Sequence, residues 1–143
     1  MHPDPAGDRH PDGRAAGSAI LFLLAAGEVT SWHRVDAAEV WVHQSGGSLV
    51  LETWAEGGDG VVRMTLGPPT GDAEPQHVVA PGFWQRALAL PAARAGAPDD
   101  AGAGAPEQLG SDWVLVTCVV VPEFRFDRFE LAPPGWSPPV DDA

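Results

Sequence analysis

The chain has 143 residues and a mass of 15.0 kDa, which suits one domain with a real core and leaves little room for a second. Its 20 acidic residues against 8 basic ones give a formal net charge of −12, so a polyanion is repelled at long range and nucleic acid is not an expected partner. Lys, Tyr and Asn are absent; the first absence excludes a lysine Schiff base, and the whole bias reads as the codon pressure of a GC-rich genome.

Residues 1–17, rich in Pro, Asp, Gly and His, carry neither a helical nor a strand period and are expected to form a flexible tail. Short apolar or alternating runs follow: "SAILFLLA", "EVWVHQ", "SLVLETWA", "VVRMTL", "HVVA", "RALAL", "WVLVTCVVV" and "FRFDRFEL". Their period of two and their β-branched and aromatic residues favour strands. The punctuation, "EGGDG", "GPPTGD" and "APGF", supplies tight turns. No stretch carries a helical stripe of ten or more residues, so the expected fold is all-β, a single-domain sandwich or barrel over 18–131.

Residues 91–112 form a low-complexity loop, read as disorder or a lid. Residues 132–143 are a proline-rich tail in which Trp136 can fold back as an anchor. The run "SAILFLLAAGEV" follows Asp4, Asp8 and Asp12 rather than a basic segment, and falls short of a membrane span. It reads as a strand. With Cys118 alone in an apolar run and no disulfide possible within the chain, a soluble cytoplasmic protein is expected, with no membrane partner.

The stretch "GEVTSWHRVDAAEVWVHQSG" carries the chemistry. At a period of two, His33, Val35, Glu39, Trp41 and His43 can share one inward face if "DAAE" is an even-length turn. On this reading the segment is a hairpin that brings His33 and Glu39 together from adjacent strands. The spacing is similar to the first cupin motif, G(x)5HxH(x)3-4E(x)6G: Gly27, His33, Val35, Glu39 and Gly46 occupy its positions, with Val35 in place of the second histidine. The second motif is visible in "APGFWQRALA", where Gln85 stands at the histidine position and Pro81 is displaced by one. The blocks "SAILFLLAAGEVTSWHRVDAAEVWVHQSGG", "TLGPP", "PQHVVAPGFWQRA" and "LVTCVVVPEFRFDRFEL" resemble, in order, the small-cupin family of unknown function 985, or cupin 5. The family's usual N-terminal block is almost invisible here.

The resemblance implies a cupin jelly-roll barrel, or double-stranded β-helix, with an interior cavity for a small organic molecule, and a homodimer. Three functional readings follow. In the first, His33 and Glu39 are catalytic without a cofactor: imidazole titrates near neutrality and a buried carboxylate can orient and tune it. Phe22, Trp41, His43, Gln76, Trp84 and Gln85 then supply apolar walls and hydrogen bonds to the substrate. The expected chemistry is isomerisation, epimerisation or cyclisation in specialised metabolism. The lack of tyrosine counts against the His–Tyr pairing common in sugar-nucleotide epimerases. In the second, His33, Glu39 and Gln85 hold a divalent metal ion, a donor set poorer than three histidines and a glutamate. In the third, the pair is a satisfied interior contact in a ligand-binding cupin without turnover. Trp32, Trp54 and Trp113 are assigned to the outer sheet or a subunit contact, and Trp41 and Trp84 to the cavity.

Overall fold

A computed structural model describes residues 9–91 and 112–139. The expected low-complexity loop therefore lies almost wholly outside the described residues. Among the described residues nine strands form: β1 (Ser18–Ala25), β2 (His33–Val35), β3 (Ala38–Gly46), β4 (Leu49–Trp54), β5 (Val62–Leu66), β6 (Gln76–Val79), β7 (Trp84–Ala89), β8 (Trp113–Val121) and β9 (Phe129–Leu131). They make a four-stranded sheet ordered β1-β8-β3-β6 and a five-stranded sheet ordered β5-β4-β7-β2-β9. All paired strands are antiparallel. A bridge between Leu66 and Glu74 ties the β5 end of one sheet to the lead into β6 of the other.

Alternation sets the core. β8 buries Val114, Val116, Cys118 and Val120 from every second position, as a half-buried strand should. Leu24 and Trp41 join them from the same sheet, and Leu49, Leu51, Leu66, Ala87 and Ala89 meet them from the other. Ala87, Ala89 and Trp41 pack in this one cluster, small side chains beside a large one.

The hairpin reading of residues 33–39 is corrected. β2 and β3 lie in opposite sheets, and the chain crosses between them at Asp36 and Ala37, so His33 and Glu39 face each other across the sandwich. Strand β2 is three residues long and pairs with β7 and β9, a topology that local alternation does not encode. The run "FRFDRFEL" is also only partly a strand: Phe126–Arg128 is a 3-10 turn and Phe126 is 84% exposed. Finally, the free tail expected over 1–17 does not extend to residues 9–17. Arg14 is buried and clamps Asp36 with both terminal nitrogens, at 2.9 and 3.2 Å, while its Nε donates to Asp12.

Candidate functional site

The interior polar group is built by four strands. Gln85 on β7 lies directly opposite His33 on β2, so both point inward from the five-stranded sheet. Glu39 and Trp41 point inward from β3 in the other sheet. Two hydrogen bonds span the gap: the Trp41 indole Nε1 donates to Gln85 Oε1 at 2.8 Å, and Gln85 Nε2 donates to Glu39 Oε2 at 2.6 Å. The order of donors is forced. An indole can only donate, so the amide oxygen must face Trp41 and the amide nitrogen must face Glu39.

Gln85 is 0% exposed and Glu39 is 8% exposed. Burial raises the Glu39 pKa above the ordinary carboxylate value, because removing water penalises the charged form. The charge of protonated His33 and hydrogen bonds from Gln85 and the Cys118 thiol act the other way, and burial wins. The Cys118 thiol is itself pushed up, first by burial and then by the Glu39 carboxylate. His33 sits at the edge of this group, half-exposed. Its Nδ1 is 2.9 Å from the Ser31 carbonyl oxygen, an acceptor only, so Nδ1 carries the proton and Nε2 keeps the lone pair in the neutral ring. The imidazole packs against Phe129, with ring centroids 5.7 Å apart.

The other sequence candidates divide. Phe22 is half-buried and stands edge to face with Trp41 at 6.3 Å, next to the group. His43 occupies an inward position opposite Val116, but its Nε2 donates to the Gly47 carbonyl at 2.9 Å, holding the bulge at the end of β3. Gln76 is exposed, opposite Val42 on the outer face. Trp84 is placed on the far side of its sheet from Gln85, in a cluster with Trp32, Trp54 and Trp136. The strand period demands this: neighbours on a strand cannot both face inward. By sequence Cys118 is only a thiol in an apolar run. Its cross-strand partner is Trp41, which places the thiol among the site residues, and only the β3–β8 register reveals that.

The donor set fits a metal poorly. Among the described residues no group of three or more His, Cys, Asp or Glu side chains comes together. The Gln85 oxygen, the third expected ligand, already accepts from Trp41. His33 and Glu39 remain, fewer than the three protein ligands of a typical catalytic metal site.

Two facing antiparallel sheets, closed at the β5–β6 end around a polar chain that joins them, define a cupin-type jelly roll. The chain belongs to the Cupin superfamily (DUF985) family, whose pattern matches residues 2–132. No curated protein matches it. Among solved structures it is similar to a Shewanella oneidensis protein, at 28% identity over 92% of this chain and 67% of that one, with a TM-score of 0.63. It also resembles a dTDP sugar isomerase from Desulfovibrio desulfuricans at 15% identity, covering 87% and 69% of the two chains with a TM-score of 0.61. Oxalate decarboxylase from Bacillus subtilis shares 13% identity over 85% of this chain and 25% of that one, with a TM-score of 0.58. The last two likenesses are of fold. Among the described residues no helix is long and apolar enough to cross a membrane.

Proposed function

We propose that this cupin binds a small organic molecule beside His33 and moves a proton within it, in an isomerisation, epimerisation or cyclisation. The observation that carries this reading is the buried Glu39 carboxyl, held by a fixed hydrogen-bond chain and facing a histidine whose Nδ1 is taken by the Ser31 carbonyl, which leaves Nε2 for a substrate. His33 Nε2 accepts the proton of a carbon acid adjacent to a carbonyl. Glu39 stabilises the imidazolium that forms, and Gln85 and Trp41 keep the carboxyl in place. Phe129, 5.7 Å from the imidazole between ring centroids, supplies an apolar wall. The interior position of the pair and the absence, among the described residues, of a third strong metal ligand beside it support an acid-base reaction of this type. The test is proton wash-out in D2O: a panel of small ketones, keto acids and keto sugars is followed by NMR for deuterium uptake next to the carbonyl. Wild-type exchange on some member, with a loss of at least about a hundredfold in His33→Gln, supports the reading. Equal exchange by both proteins refutes it.

A homodimer through the outer face of the four-stranded sheet is part of the same proposal. Leu21 and Leu23 on edge strand β1 are 69% and 60% exposed, and Val78 on β6 is exposed too. Such an apolar, edge-bearing face calls for a cover. Leu23→Asp converts a dimeric species to a monomer in analytical ultracentrifugation if this face is the contact, and leaves the mass unchanged if it is not.

A further inference from the structure

The outer face of the five-stranded sheet carries a second arrangement, unconnected with the interior pair. Trp54 and Trp84 are opposite one another on β4 and β7, and Trp136 folds back over them, 4.6 Å from Trp84 and 6.1 Å from Trp54 between ring centroids. The next row along the strands is charged: Glu52 lies between Arg63 and Arg86, and each guanidinium donates its Nε to a different oxygen of that one carboxylate. Arg63 and Arg86 share this one carboxylate, while Arg34, which lies over the Trp84 ring, bonds Glu56 and Glu130. Arg86 also lies over the Trp32 ring at 5.0 Å. Its terminal nitrogens make no hydrogen bond among the described residues.

Between this row and the returning chain lies a cleft of about 400 Å³, lined by Ser31, Trp32, Arg86, Pro133, Pro134 and Trp136 among others. Trp32 is 4% exposed, and its Nε1–H is buried with no acceptor among the described residues. Leaving a buried donor unpaired is costly, so such a group calls for a partner. The Trp136 ring stands edge to face with Trp32 at 6.4 Å and supplies no oxygen acceptor. We propose that this cleft is a binding site for a small flat organic carboxylate. Its oxygens take the Trp32 indole N–H and the Arg86 guanidinium, while its ring lies against Pro133, Pro134 and Trp136. The unused donors of Arg86 and Trp32 select an anion, and rigid proline and indole walls select a flat body.

The test uses phenylacetate as probe and its uncharged isostere phenylacetamide as control, followed by the indole N–H signals of uniformly 15N-labelled full-length protein. The six tryptophans give separate signals, and Trp32→Phe, which keeps a ring and removes the donor, identifies the signal of Trp32. The expected result is a saturable shift of the Trp32 signal with half-saturation at about 1 mM or below. Binding falls at least about tenfold for phenylacetamide, for Trp32→Phe and for Arg86→Gln. The undisturbed Trp41 signal certifies the fold of each variant. No saturable shift at Trp32, a response confined to Trp41, or equal binding of acid and amide overturns the proposal.

Discussion

Replacing Gln85 by Leu tests the inter-sheet hydrogen-bond chain directly. The two side chains are of similar volume, so the fully buried position opens no large cavity, and the effect isolates the polar contacts. The Trp41 indole N–H loses its acceptor at 2.8 Å, a cost of about 1–3 kcal/mol for a buried donor. Glu39 loses the donor at 2.6 Å, about 0.5–1.5 kcal/mol when the carboxyl is protonated and about 1.5–3 kcal/mol when it is ionised. Added apolar burial returns about 1 kcal/mol. The net loss is about 1–3 kcal/mol at pH 5 and about 1 kcal/mol larger at pH 8, where more of Glu39 is ionised. Urea unfolding at both pH values reads it. Because Trp41→Phe removes the stranded donor, the double variant should recover about 1–2 kcal/mol relative to the sum of the singles. A cost under about 0.5 kcal/mol at both pH values, or strict additivity in the double variant, refutes the chain.

Glu39→Gln should be at least as stable as wild type above about pH 7. The folded-state pKa of Glu39 is raised, so the native state holds a proton that the unfolded state has released. Wild-type stability therefore declines from about pH 4.5, the unfolded value, up through the folded pKa; the variant lacks that decline, and a pH series of denaturant melts checks it. Gly46→Ala should cost at least about 2 kcal/mol: φ is +86° and a Cβ would run into the Trp113 carbonyl. At Gly27, with φ +84° and open space around it, Ala should cost only about 1 kcal/mol, so thermal melts of the two variants should separate them. Trp136→Ala, which strips the cover from three tryptophans, should cost about 2–3 kcal/mol and shift the intrinsic fluorescence to longer wavelength.

Part of the site was legible before any coordinates. Gly27, His33, Glu39 and Gly46 fall at cupin spacing because a barrel wall repeats at a fixed period, and Gln85 occupies the position of a ligand that points inward. Trp84 resembles a cavity residue by its place in the motif, although the alternation that sends Gln85 inward sends its neighbour out. The short strands were harder. β2 and β9 are three residues each and draw their structure from partners distant in sequence, so "DAAE" passes for a hairpin turn when it is a crossing between sheets.

The sequence by itself determined the all-β class, the positions of the long strands and the residue types available for chemistry, because alternation and turn residues act over a few positions. Only the tertiary structure decided what those residues do to one another. Which sheet each strand joins, that a glutamine links Trp41 to Glu39, that Cys118 lies against that carboxyl and that Trp136 closes over the outer tryptophans all depend on contacts between distant segments. Those contacts also set burial, and with it the raised pKa of Glu39 and the unpaired donor of Trp32.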